Sequence, residues 1–227
     1  MQDILLLHGA IGAKQQFDAL VQSLEKRYKV HTLNFSGHGG AAIGNDFSIA
    51  QFASETLDYL DANQIDAIKI FGYSMGGYVA LYLAKMHPQR IDGIFTLATK
   101  FEWTPEIAAR ETKMLNPEKI AEKIPAFAAE LQQRHAPNDW KTVMAKTAEM
   151  MIGLGDNNPL QLEDYQAIQI PTRIAIGDKD QMVTLEETIA VYRSLPHASL
   201  VVLPQTQHPI EKVSVERLVS ELGIFFG

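Results

Sequence analysis

The run Ile68-Lys69-Ile70-Phe71-Gly72-Tyr73-Ser74-Met75-Gly76-Gly77-Tyr78-Val79-Ala80-Leu81-Tyr82-Leu83-Ala84 leaves this chain few ways to fold. A short apolar segment ending at Phe71 reads as a buried strand, and Met75 to Met86 reads as a helix. Ser74 therefore stands where strand becomes helix with almost no loop between. So sharp a turn crowds strand against helix and forces the serine into strained dihedrals, and glycines at 72 and 76 remove the side chains that would collide. The hydroxyl is then held out at the carboxyl end of a strand, beside the amino end of a helix. There the Met75 N–H is free to meet developing negative charge. The letters Gly-x-Ser-x-Gly arise by chance in a chain of this length roughly one time in twelve. Their placement between strand and helix carries the weight, since a glycine-rich turn that merely packs helix on sheet would show the same letters.

Around this turn the chain alternates. Ile4 to Leu7 is a continuous apolar run closed by His8-Gly9, as suits a central parallel strand covered on both faces. Phe17, Leu20, Val21 and Leu24 recur at helical spacing and predict a helix from about Lys14 to Arg27. Tyr28 to Leu33 is the next strand, running into Asn34-Phe35-Ser36-Gly37-His38-Gly39-Gly40. Ser48-x-x-Gln51 has the form of a capping box opening a helix through Leu60. Past the Ser74 turn, Ile91 to Ala98 reads as a strand. The character then changes, because from about Lys100 to Leu162 the pattern is helical, with proline starts at Pro105 and Pro117 and no convincing strand. Alternation resumes with the strand 171–176, a second capping box Thr184-x-x-Glu187, the strand 199–203 and a final helix over 214–226. This order predicts an α/β fold: a doubly wound, mostly parallel sheet of about six strands, with a core formed by 1–99 and 163–227 and a helical lid inserted at 100–162. Trp103, Trp140 and Met144 are the expected lid residues of a substrate pocket, with Phe127, Met114, Met150 and Met151 also available, although helical packing alone would account for most of them.

A serine nucleophile needs a base, and the base needs an acid to hold its tautomer. In a doubly wound sheet these groups collect outside the carboxyl ends of the strands. Gly177-Asp178-Lys179-Asp180 follows the strand ending at Ile176, and Gln205-Thr206-Gln207-His208 follows the one ending at Leu203. Among seven histidines, only His208 follows the last strand at its carboxyl end; His197 precedes that strand, His87 ends a helix and His135 falls in the inserted segment. Asp178 directly follows the turn glycine and can brace its own loop, whereas Asp180 is further out and free to reach across, so Asp180 is the expected acid. The second oxyanion donor is expected from the loop His8-Gly9-Ala10-Ile11-Gly12, with the Ala10 N–H first and Ile11 next.

Two other chemistries are set aside. Gly37-His38-Gly39-Gly40-Ala41-Ala42 fits the dinucleotide pattern, but the following helix is capped only at Ser48, too late to hold a pyrophosphate. His8, His31 and His38 lack a carboxylate or cysteine at ligand spacing, so no metal is expected. The chain has no cysteine, which excludes disulfides and a thiolate nucleophile. With 27 acidic against 20 basic residues and no basic run, nucleic acid is not an expected partner. No apolar stretch reaches the length of a membrane span, and the amino end lacks the form of a signal peptide, so a cytoplasmic location is expected.

Taken in order, His8-Gly9-Ala10, Gly37-His38-Gly39, Gly72-Tyr73-Ser74-Met75-Gly76-Gly77, Gly177-Asp178-Lys179-Asp180 and His208 resemble the α/β-hydrolase superfamily, and together they span nearly the whole chain. The resemblance implies a triad of Ser74, Asp180 and His208, oxyanion donors at Ala10 and Met75, no cofactor, and a helical lid. It also implies a small-molecule acyl substrate and cleavage of a carboxylic ester, thioester, lactone or amide. Three features depart from the family pattern: Met1 begins almost on the His-Gly strand where a hairpin usually comes first, Gln207 stands where glycine usually precedes the histidine, and Asn34 replaces a common aspartate. Two alternatives share the same residues. The elbow also resembles that of a menaquinone-pathway lyase, which would call for cationic lid groups such as Arg110, Lys113 or Arg134; and a binding or signalling protein could keep the triad unused.

Overall fold

The computed structural model describes residues 1–44 and 46–227. Six strands, β1 (Gln2–Leu7), β2 (Tyr28–Thr32), β3 (Ile68–Tyr73), β4 (Ile91–Leu97), β5 (Thr172–Gly177) and β6 (Ala198–Leu203), form one parallel sheet in the order β2-β1-β3-β4-β5-β6. Ile4, Leu5, Leu6 and Leu7 are all fully buried, because alternate residues of β1 feed cores on both faces of the sheet. On one face Ile4, Leu6, Phe71 and Phe95 pack with α1 (Asp18–Leu24) and α10 (Val215–Phe226). On the other, Leu5, Leu7, Ile70 and Ile94 pack with α2 (Ile49–Ala62), α3 (Met75–Met86) and α9 (Leu185–Ser194).

The strand order reverses between β1 and β3. The connection after β1 leads out to β2 on one side, and the chain after β3 proceeds to β4 on the other. Loops that part in this way leave a crevice at the carboxyl ends of the two strands, and that is where a doubly wound sheet holds ligands. The residues following β1 include Ala10, and the residue following β3 is Ser74.

Between β4 and β5 lie five helices: α4 (Pro105–Thr112), α5 (Pro117–Lys123), α6 (Pro125–His135), α7 (Trp140–Asp156) and α8 (Leu162–Ala167). Thr104 and Asn116 cap the first two by accepting from Ile107 N–H and Lys119 N–H, with proline at the next position as its fixed φ favours. The last helix, α8, belongs to the body of the sheet, since Tyr165 is buried in the same core as Leu5 and Ile70.

Three local expectations are corrected. The helix expected over 14–27 is a 3-10 turn at Lys14–Phe17 followed by α1, because the Gln16 side chain folds back onto Ala13 N–H and Phe17 leaves the helical region at ψ 1°. Neither capping box is reciprocal. Ser48 and Thr184 do accept from the N–H groups of Gln51 and Glu187, but Gln51 turns to Glu55 and the buried Glu187 turns to Lys100.

Candidate active site

Ser74 adopts φ 51° and ψ −119°, a conformation that costs a non-glycine residue about 1–3 kcal/mol and persists only where its surroundings over-determine it. Here the backbone is pinned on both sides. Ser74 N–H donates to Leu97 O at 2.8 Å, and Ser74 O accepts from Gly77 N–H at 3.0 Å and from the Thr99 hydroxyl at 3.0 Å. The flanking glycines are required by contact: a Cβ on Gly76 would collide with the Leu7 and His8 carbonyls, and one on Gly72 with the Gly77 backbone. Gly76→Ala is therefore expected to destabilise the protein by several kcal/mol or prevent folding, since rigid backbone has to move. Urea denaturation against wild type checks this; an unchanged midpoint would mean that the elbow tolerates a side chain at this contact.

Asp180 and His208 meet across their loops, with His208 Nδ1 and Asp180 Oδ2 2.8 Å apart. The other carboxylate oxygen accepts from the N–H groups of Met182 at 2.8 Å and Val183 at 3.0 Å. Burial on its own would raise the Asp180 carboxyl, but the hydrogen bond and charge of His208, helped by those two N–H groups, hold it below the usual carboxylate range. Asp178 has a different partner, the Thr206 N–H, and braces the histidine loop. With Nδ1 committed to Asp180, His208 has Nε2 left for the cavity that it lines together with Ser74. Among the described residues no hydrogen bond joins the imidazole to the Ser74 hydroxyl, a contact that in unliganded enzymes often closes only around substrate. Tyr73 fixes the loop from beneath, its hydroxyl donating to His208 O at 3.1 Å.

The direction of the Ala10 N–H is set by the peptide it shares with Gly9. The Gly9 carbonyl lies 2.8 Å from His8 Nδ1 and accepts from Gly12 N–H at 3.1 Å. In a trans peptide the N–H of the next residue points the opposite way from that carbonyl. His8 Nε2 accepts from Phe35 N–H at 3.2 Å, so the ring is neutral with its proton on Nδ1; complete burial pushes its pKa down to about 4. His8 is thus spent on the loop. His31 instead pairs with Asp3 and Tyr59 on the outer strand. As the first residue of α3, Met75 has no intrahelical acceptor for its N–H.

The cavity beside Ser74 is narrow, with a volume of about 50 Å³. Its walls are largely apolar, with Met75, Trp103, Met150, Met151 and Leu154 among them. Trp140 and Met144 do not line it. They are buried with Ile120 and Leu131 in a separate core within the inserted helices, because the amino-terminal end of α7 packs with α5 and α6. The two charged residues of the wall carry no pocket role in the sequence reading. Lys100 and Glu111 enter the cavity wall, and the Lys100 ammonium lies 3.2 Å from Met182 O and 3.4 Å from Glu187 Oε2. Lys100 was legible as a charged residue just beyond the carboxyl end of a strand; Glu111, on a helix of the insertion, carried no comparable signal.

A sequence profile of the alpha/beta hydrolase fold matches residues 4–150. The pimeloyl-[acyl-carrier protein] methyl ester esterase of Neisseria meningitidis serogroup B is 29% identical over 92% of this chain and 86% of its own length. A Bacillus subtilis protein described as a candidate 2-succinyl-6-hydroxy-2,4-cyclohexadiene-1-carboxylate synthase is 21% identical over 91% of this chain and 84% of its own. Among solved structures, the enol-lactonase of Burkholderia xenovorans superposes with a TM-score of 0.80 at 18% identity, covering 99% of this chain and 91% of that one. At that identity the likeness speaks for the fold alone.

Proposed function

The chain belongs to the α/β-hydrolase fold family, and from that premise we propose a carboxylic ester hydrolase working through an acyl-enzyme on Ser74. The observation that carries this reading is the Ser74 turn, opening onto a cavity that His208 also lines, with His208 held by Asp180 at 2.8 Å. Ser74 Oγ attacks the ester carbonyl while His208 Nε2 takes its proton. Asp180 keeps the imidazole in the required tautomer and stabilises the imidazolium. The oxyanion is received by the N–H groups of Met75 and Ala10, each donor of this kind being worth about 3–4 kcal/mol. Collapse expels the alcohol with the proton from His208, and water then repeats the sequence on the acyl-enzyme.

The helices of 100–162 act as the lid over this cavity. Its apolar wall of flexible methionines suits an unbranched acyl chain. Together with the similarity to pimeloyl-[acyl-carrier protein] methyl ester esterases, it favours the methyl ester of a medium-length acyl group as substrate. The lyase alternative asks for cations free to grip carboxylates. Arg110, Lys113 and Arg134 all lie outside the lining of the cavity, Arg110 paired with Glu111 and Arg134 with the Ile11 carbonyl and Glu211, while Lys100 in the wall is paired with Glu187.

A fluorophosphonate probe and p-nitrophenyl esters of graded acyl length test the proposal together. Labelling on Ser74 with turnover peaking at a defined chain length is expected. Labelling without turnover of any ester would favour a lyase or a receptor, and failure to label Ser74 would remove the nucleophile.

A further inference from the structure

The donor at Ala10 belongs to a loop whose conformation is not self-supporting. Ile11, the next residue, sits at φ 49°, in the left-handed region that a β-branched side chain strongly disfavours. Something outside the loop has to hold it, and that support comes from the lid. At the end of α6, the carbonyl of Ile11 lies 3.0 Å from His135 Nε2 and accepts from Arg134 Nη1 at 3.1 Å. His135 Nδ1 accepts from Gly39 N–H at 3.2 Å, so its proton lies on Nε2, facing Ile11. The Ile11 side chain packs on the lid's own core of Ile120, Leu131, Trp140 and Met144. The lid thus grips this residue by main chain and side chain together.

We propose that Arg134 and His135 are positioning residues that aim the Ala10 N–H at the oxyanion by holding the Ile11 carbonyl, making the lid part of the catalytic geometry as well as its cover. The inference rests on the esterase reading. Released from the lid, Ile11 relaxes toward negative φ, which turns the Ile11–Gly12 peptide, draws Gly12 N–H off the Gly9 carbonyl and so frees the Gly9–Ala10 peptide that carries the donor. Arg134 extends the support. Its Nη2 lies 3.6 Å from Glu211 Oε1, which also accepts from Gln16 Nε2 at 2.6 Å, while Gln16 Oε1 accepts from Ala13 N–H at 2.9 Å. Glu211 follows His208 by three positions, so one chain of contacts ties the oxyanion loop, the lid and the histidine loop together.

The test compares Arg134→Gln, His135→Phe and His135→Gln on a p-nitrophenyl ester and on an aryl trifluoromethyl ketone. The ketone forms a tetrahedral oxyanion on serine, so its affinity reads the donors directly. Arg134→Gln and His135→Phe are each expected to lower kcat about 10-fold or more with KM within twofold, because full loss of one donor costs about 10²–10³. Ketone affinity should fall by the same factor as kcat. His135→Gln keeps a donor for Ile11 and an acceptor for Gly39 and should recover most of both losses. If the buried His135→Phe does not fold, the partly exposed Arg134→Gln carries the test. Unchanged kcat and ketone affinity would overturn the role, and so would a rise in KM alone, which would make these residues substrate contacts. Wild type is measured alongside. An inactive, unlabelled wild type would sink the esterase reading and this inference with it, whereas variants behaving like an active wild type would sink only the inference.

Discussion

Ser74→Ala is expected to lower ester turnover by about 10⁴- to 10⁶-fold while leaving the fold intact. Stability should survive because nothing that holds this turn uses the Ser74 side chain: the bonds from Ser74 N–H to Leu97 O, and from Gly77 N–H and the Thr99 hydroxyl to Ser74 O, remain in the alanine variant. His208→Ala should cost about as much. Adding it to Ser74→Ala should cost almost nothing further, because a nucleophile without its base and a base without its nucleophile are equally idle. That non-additivity separates a working relay from three polar residues that happen to be neighbours. Asp180→Asn is a milder case, expected at about 10⁴, since an amide can present its N–H to His208 Nδ1 and favour the wrong tautomer. It also disturbs the bonds to Met182 and Val183, so its stability must be measured beside its activity. Purified Ser74→Ala retaining a substantial part of wild-type kcat, with active-site titration excluding contamination, would end the nucleophile assignment.

How far the sequence could be read depended on how far apart the interacting residues lie. The β3–α3 turn was legible because every determinant falls within about ten residues: an apolar run, two glycines and an uninterrupted helical stretch. Proline and its preceding Thr104 or Asn116 marked the starts of α4 and α5 for the same local reason. Distance from the turn glycine was the one local difference between Asp178 and Asp180, and the two have separate partners, the Thr206 N–H and His208. Local signals failed where packing chose between them. The Thr184 capping box looked complete in sequence, yet Glu187 is drawn to Lys100, 87 residues earlier. Trp140 and Met144 share a face of α7 with the cavity residue Met151, and what separates them is position along the helix: its amino-terminal end packs with Ile120 and Leu131, and its carboxyl-terminal half reaches the cavity. The grip of Arg134 and His135 on Ile11 spans more than 120 positions and leaves no mark on any window of sequence.

The protein is expected to lose stability steeply as pH falls from about 6.5 toward 4, by a route separate from its carboxylates. His8 and His135 are both buried, and burial pushes each pKa down to about 4; hydrogen bonds to Gly9 O and Ile11 O oppose this in part, and proximity to Arg134, and for His8 the approach of His135, adds a smaller push downward. His38 lies between them, with ring centroids 5.0 Å from His8 and 5.8 Å from His135, and is held well below its ordinary value by the same burial. In the unfolded chain each titrates near 6.5. Between 6.5 and 4 the unfolded state therefore binds more protons than the native state, so stability rises with pH and is lost on acidification, at about 1.4 kcal/mol per pH unit for each histidine. The loss levels off near 4, where the native histidines also charge. Glu187 works against it, because burial raises its carboxyl and the native state gains a proton there first. Asp180, held low by His208, adds its own loss only below the usual carboxylate range. Two histidines at about 3 kcal/mol each represent a large part of the 5–15 kcal/mol typical of a folded domain. Urea unfolding at pH 7.5, 6.0 and 5.0 should show the midpoint falling at each step, with a slope near two protons or more. His135→Gln should make that slope shallower by about one proton. A midpoint constant across this range would mean that these histidines are not held neutral, and the loop geometry built on the His8 and His135 tautomers would fall with it.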